Sequence, residues 1–183
     1  YAKENFYEPL NMVSTRYRAF ENFERRQMVP TENEINFRQG LLWGYVHDPG
    51  AAMFGNVAGH AGLFSNATDL AKLYQLLLNG GKLNSVTLFQ KKTIDLFTAY
   101  NSSISRRGYG FDKPEQGNDT MAIEKRYPAA YASPQTSGHT GYTGTCVWVD
   151  PAYDLVYIFL SNRVHPMGGD NRKITSMSIR GRI

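Results

Sequence analysis

A single cysteine, Cys146, stands in a chain of 183 residues. One thiol excludes an internal disulfide and a cysteine-rich zinc site. Long hydrophobic runs are missing too. The longest, Leu155 to Leu160, has the length of a strand and falls far short of the ~20 residues that span a bilayer. No integral membrane segment is therefore expected. The opening residues, Tyr1-Ala2-Lys3-Glu4-Asn5, carry charge and no apolar stretch, so no signal peptide is read in them. Histidines are few and scattered: His47, His60, His139 and His165. None sits at the i,i+2 or i,i+4 spacing that gives a zinc site its local pair of ligands. We expect no metal and no cofactor. An excess of one charge is also nearly absent, with 20 Lys and Arg against 16 Asp and Glu, a net +4. The basic residues stand singly or in adjacent pairs such as Arg25-Arg26, Lys91-Lys92 and Arg106-Arg107. Without a basic stripe interleaved with stacking aromatics, no nucleic-acid partner is expected.

What is present is globular. Hydrophobic residues make up 42%, charged residues 20% and aromatics 13%, values that exclude disordered, collagen-like and coiled-coil chains. A domain of this length buries roughly 70% of its unfolded surface.

The first dozen residues, with Phe6, Tyr7, Leu10 and Met12, read as a helix end running into a turn. Ser14 to Asp48 is polar and irregular, a long loop of the kind that is functional or mobile. Gly50 to Gly62 is rich in glycine and alanine, which permits close backbone approach. The clearest helix follows, over about 67–79: Asn66 is its N-cap, Asp69 faces its N-terminus, and Leu70, Leu73, Tyr74, Leu76, Leu77 and Leu78 form an apolar face. Asn79-Gly80-Gly81 ends it. A second helix is predicted over 86–98 from a cap at Ser85. An antiparallel sheet is predicted from Tyr109–Phe111, His139–Asp150 and Asp154–Asn162, with a turn at Asp150-Pro151-Ala152-Tyr153-Asp154. A last helix, in the tail from Asp170, is predicted to cover one sheet face. The fold class is α+β, an antiparallel sheet with flanking helices.

Ser137-Gly138-His139-Thr140-Gly141-Tyr142-Thr143-Gly144-Thr145 is the most informative stretch. Gly141 removes a side chain that would block a ligand lying along a strand edge. His139 can carry a proton or a charge beside that edge, Thr140 adds a hydroxyl, and the Tyr142 N–H can face an oxyanion. A glycine-rich hairpin with a surface histidine is the plainer alternative. The other histidines read as structural, and Cys146 as a small buried hydrophobe.

His139-Thr140-Gly141 resembles the third box, Lys-Thr-Gly or His-Thr-Gly, of the serine β-lactamase and penicillin-binding-protein superfamily, which includes class C β-lactamases, D-Ala-D-Ala carboxypeptidases and esterases. Three further segments agree in order: Gly59 to Leu70 resembles the small-residue loop and the Ser-Thr and Asp-Leu helix start. Asp150-Pro151 with Asp154-Leu155-Val156 resembles the β-hairpin. Ser161 to Pro166 resembles the ending of bacterial β-lactamase-like domains that are sometimes fused to family-3 glycoside hydrolases. The resemblance covers residues 1–183 and implies a partial β-lactamase/transpeptidase-like fold. It assigns His139 and the Tyr142 backbone N–H to catalysis, and Thr140 and Gly141 to substrate binding.

The superfamily's nucleophile lies in Ser-x-x-Lys, assisted by Tyr-x-Asn. Neither occurs in this sequence; Ser103, with Arg106 three residues on, comes nearest. The resemblance therefore reads 1–183 as the C-terminal part of a single β-lactamase-like domain. Two classes remain. One is part of a serine hydrolase that works through an acyl-serine on a β-lactam, D-Ala peptide or ester, inactive as this chain alone. The other is a non-catalytic binding or structural module with the same fold. The implied partner is a small-molecule or peptidoglycan-type substrate, in the bacterial periplasm or outside the cell. Self-association through an open sheet edge is expected.

Overall fold

The computed structural model describes residues 1–167 and 171–181. In chain order its strands are β1 (Arg16–Tyr17), β2 (Pro30–Glu34), β3 (Gly40–Trp43), β4 (Leu63–Phe64), β5 (Lys82–Leu83), β6 (Val86–Thr87), β7 (Ser137–Thr140), β8 (Cys146–Asp150) and β9 (Leu155–Phe159). Its α-helices are α1 (Pro49–Met53), α2 (Ala67–Leu78), α3 (Lys91–Thr98) and α4 (Lys173–Ser176). The main sheet is antiparallel in the order β7-β8-β9, and there are three two-stranded ladders among the described residues, β1-β4, β2-β3 and β5-β6. The class is α+β, as the sequence pattern implies.

Helix α2 follows the predicted pattern closely. The Asn66 side chain accepts from the Asp69 N–H at 2.8 Å, and Gly80 and Gly81 take positive φ at its end. Its apolar face packs Leu76 against Tyr7, Leu10 and Met12 of the N-terminal helical turn, with the β5-β6 residues Leu83 and Val86 alongside. Asp69 does more than face the helix N-terminus. It is buried and accepts from the Ser14 N–H at 2.7 Å and the Thr15 hydroxyl at 3.1 Å, tying the chain start to the helix.

Three expectations are corrected. The helix predicted over 86–98 begins only at Lys91. Val86-Thr87 instead pairs with Lys82-Leu83 across a turn at Asn84, whose φ is +51°. Val86 and Thr87 are β-branched, and their apolar spacing suits a ladder as well as a helix. Tyr109–Phe111 forms no strand: Gly110 turns at φ +81°, the Gly108 N–H bonds the Phe111 carbonyl, and only the next residue, Asp112, bridges Gly138. The stretch His139–Asp150 is two strands of a hairpin, not one, because Gly141 to Gly144 turns the chain.

The loop expected from Ser14 to Asp48 is structured by the β2-β3 hairpin and by 3₁₀ turns at Ala19–Glu21 and Arg25–Gln27. The Asn162 amide holds this hairpin to the sheet's end, donating to the carbonyls of Pro30 (2.6 Å) and Thr31 (2.9 Å). In the tail, only α4 and a 3₁₀ turn at Ile179–Gly181 are helical among the described residues; Asp170 itself lies outside them. The helix that lies against β8 and β9 is α2.

Candidate functional site

The His139 segment is β7, registered on β8 with His139 opposite Val147 and Thr140 opposite Cys146. The close pairing depends on Gly138. A Cβ there would drive into the Val147 carbonyl and come within 2.7 Å of Trp148 Cε3. On its other side Gly138 exchanges two hydrogen bonds with Asp112, at 2.7 and 3.0 Å. Antiparallel strands alternate inward and outward backbone groups. The next outward pair after Gly138 therefore belongs to Thr140.

The turn after β7 is tightly held. Gly141 donates to Thr145 (2.8 Å) and Gly144 to Gly141 (3.1 Å), with Gly144 at φ +115°. A Cβ on Gly141 would strike the Thr145 hydroxyl. Gly141 thus lets the turn close, as well as leaving the edge clear. The turn's carbonyls are capped by cations: Arg163 Nε donates to Tyr142 (2.7 Å), and Arg180 donates to Thr145 (3.2 Å). The Tyr142 N–H has no hydrogen-bond partner among the described residues. The Tyr142 ring is exposed yet flanked, with the Arg163 guanidinium 4.4 Å and the His47 ring 5.0 Å from its centroid.

His139 is exposed, but both its nitrogens are engaged. Nδ1 lies 2.8 Å from the Thr140 carbonyl and Nε2 lies 2.8 Å from Arg107. A carbonyl only accepts and a guanidinium only donates, so the network assigns the proton to Nδ1 and the lone pair to Nε2.

Beneath this edge lies a charged knot. Asp112, 1% exposed, accepts from Arg106 at 2.7 and 3.1 Å and from the Tyr127 hydroxyl at 2.7 Å. Arg106 also pairs with Glu115 and lies 4.2 Å over the Tyr127 ring. Burial pushes the Asp112 carboxyl up, but the Arg106 and Tyr127 hydrogen bonds outweigh it and hold the carboxyl below its usual range. Burial, then Asp112, pushes the Tyr127 phenol up to about 12. Tyr127 is therefore a donor at neutral pH and not a base.

The structure brings His139, Thr140, Gly141 and Tyr142 together along one strand edge and turn. Sequence reasoning missed the surrounding cast of Arg107, Arg106, Asp112, Tyr127, Arg163 and Arg180. The Arg106-Arg107 pair was visible, but nothing in its spacing pointed to the strand. His60 bonds Asp48 (3.0 Å), the N-cap of α1, and His47 lies 3.4 Å from the buried Glu32. Among the described residues, no group of three or more His, Cys, Asp or Glu converges as a metal site. A cavity of about 500 Å³ opens between α2, α3 and the Ser137 end of β7, with the buried Lys113 in its wall. His139 to Tyr142 do not line it.

The strand, the turn and the flanking helices define a class, the α+β folds with helices packed on an antiparallel sheet. The sequence pattern named Beta-lactamase matches residues 1–179. The chain belongs to the β-lactamase family. It is 37% identical, over 195 aligned residues, to the Escherichia coli (strain K12) protein named "Putative D-alanyl-D-alanine carboxypeptidase", covering 100% of this chain and 44% of that protein. It is 38% identical to the N-acetylmuramyl-L-alanine amidase of Bacillus subtilis (strain 168), covering 90% of this chain and 39% of that one. The chain thus spans less than half the length of these curated relatives. Among solved structures, a penicillin-binding-protein homologue from Caulobacter crescentus shares the fold, with a TM-score of 0.56 and 21% identity over 93% of this chain and 47% of that one. Simvastatin synthase from Aspergillus terreus does so at a TM-score of 0.56 and 14% identity, over 98% of this chain and 46% of that one.

Proposed function

We propose that this chain supplies the substrate-lining strand of a serine acyl hydrolase acting on a D-alanyl amide or ester of the peptidoglycan type. One observation carries the reading: the Tyr142 N–H is left unpaired at the end of an open strand edge, while the carbonyls around it are held by Arg163 and Arg180. A fixed, unpaired N–H is what an oxyanion needs, and one such donor is worth about 3–4 kcal/mol in the transition state. Thr140 and Gly141 line the substrate, and His139 shapes the edge beside them. The names of the E. coli and B. subtilis relatives favour a cell-wall substrate, and with it a periplasmic or extracellular location. No helix among the described residues is long and apolar enough to cross a membrane.

The reading is tested by binding. A diacyl-L-Lys-D-Ala-D-Ala peptide added to the labelled chain is expected to shift the amide resonances of Thr140, Gly141 and Tyr142; shifts confined to other residues would overturn it. Turnover is not expected. No serine in these 183 residues is followed by lysine three positions on, and removing such a nucleophile costs on the order of 10⁶-fold in rate. A labelled penicillin should leave no covalent adduct, and a chromogenic cephalosporin should hydrolyse no faster than in buffer. The lack of Ser-x-x-Lys keeps a second reading in play, a non-catalytic module that binds the same ligand. An intact Ser-x-x-Lys and Tyr-x-Asn in the reading frame upstream of Tyr1 would decide for the enzyme.

A further inference from the structure

We propose that Arg107 is a positioning residue for β7: it fixes His139 as the Nδ1–H tautomer and itself carries the positive charge at the strand edge. The proposal builds on the functional reading above but stands on separate geometry.

Neutral imidazole free in water favours the proton on Nε2. Here a permanently charged guanidinium, which has donors only, lies 2.8 Å from that nitrogen. The Thr140 carbonyl, an acceptor only, lies 2.8 Å from Nδ1. The bond made by one ring nitrogen sets the state of the other. Both contacts therefore select the same tautomer, and each would be repulsive in the opposite one. Arg107 is steered into place from below. Its NH2 lies 3.8 Å from Asp112 Oδ2, a carboxylate whose stronger bonds already go to Arg106 and Tyr127. Half of the Arg107 side chain remains exposed, so its guanidinium stays accessible to solvent beside the edge.

The local charges are balanced without His139. Arg106 and Arg107 are matched by Asp112 and Glu115, and no carboxylate bonds to His139 among the described residues. His139 keeps no nitrogen for a ligand, and the donors that a ligand meets beside Thr140 are those of Arg107.

The test is nitrogen NMR on the full 183-residue chain. Long-range ¹H–¹⁵N spectra would be taken about two pH units above the ordinary imidazole value of ~6.5, with His139 assigned through H139Q. The expected result is a proton-bearing Nδ1 and a lone-pair Nε2 in the parent chain. R107A should let an Nε2–H population appear, since only the Thr140 carbonyl then still favours Nδ1–H, and R107K, which keeps a cationic donor, should suppress it again. A parent His139 protonated on Nε2, or a tautomer unchanged in R107A, would overturn the proposal. Failure of the peptide to bind would sink the functional reading and leave this result standing.

Discussion

The Tyr127 hydroxyl donates a 2.7 Å hydrogen bond to Asp112, the residue whose backbone brackets Gly138 and so seats β7. Tyr127→Phe removes that donor and keeps the ring between Arg106 and Trp148. A hydrogen bond to a buried charge contributes about 1.5–3 kcal/mol. Arg106 still holds the carboxylate, so a loss near the lower end, about 2 kcal/mol, is expected. Urea unfolding should show it as a lower midpoint at unchanged slope. An unchanged midpoint would mean that Tyr127 does not support the strand.

Asp150 ends β8 at 4% exposure and accepts from the Ser133 N–H (2.9 Å) and hydroxyl (2.6 Å), the Thr136 hydroxyl (2.6 Å) and the Ala152 N–H (3.0 Å). Burial pushes its carboxyl up, yet these four donors outweigh burial and hold it below the usual range. The folded state therefore binds this proton more weakly than the unfolded state. Its stabilisation is complete above the unfolded value of ~4 and is lost as pH falls through the lower folded value. Asp150→Asn should lower stability by about 2 kcal/mol at neutral pH, since an amide nitrogen replaces one acceptor. The gap between the two proteins should close as the pH drops below ~4. Parallel curves over that range would count against this account.

Two glycines with opposite surroundings test the packing of β7. Gly138→Ala places a methyl group against the Val147 carbonyl and the Trp148 ring, both held by the sheet. Overpacking a fixed site costs typically 1–3 kcal/mol, and about 3 kcal/mol is expected because backbone must move. Gly40→Ala meets nothing within 4 Å, at a φ open to any residue, and should change stability by less than about 0.5 kcal/mol. Thermal unfolding of the pair is the check; equal shifts would contradict the close approach at Gly138.

The legible parts of this fold were local. Helix α2 carries its cap, its apolar face and its glycine stop within sixteen consecutive residues, Asn66 to Gly81. The turn from Asp150 to Asp154 was legible for the same reason, with Asp154 at φ +50°. The segment at Val86 was not, because a short apolar run satisfies a helix and a ladder alike. His139 to Tyr142 were legible because they are contiguous. Arg107, Asp112 and Tyr127 reach the same edge from polar stretches without periodicity, which the bridge to Gly138 and the Lys113 bond to the Thr136 carbonyl fold back beside β7. Leu155 to Leu160 is apolar on both faces, the pattern of a central strand, yet among the described residues β9 lies at the edge of its sheet.

That edge motivates the last prediction. Strand β9 runs Leu155-Val156-Tyr157-Ile158-Phe159, with β8 on one side and no strand pairing the other among the described residues. Proteins blunt such edges with lysine, proline, bulges or very short strands. None of these marks β9, and its ladder to β8 runs in unbroken register. Apolar side chains remain accessible at its ends, with Leu155 44% and Leu160 41% exposed. An unpaired row of N–H and C=O groups beside exposed apolar surface is a template for a second chain. We therefore expect the isolated chain to self-associate, by pairing of β9 edges or by exchange of the segment from Ser14 to Asp48. Folding is then linked to association, so the melting temperature should rise with protein concentration. Leu155→Lys places a charge at an already exposed edge position and should shift the population toward monomer without lowering stability at high dilution. Light scattering that shows a monodisperse monomer at high concentration, with a melting temperature independent of concentration, would rule out the open edge as an association site.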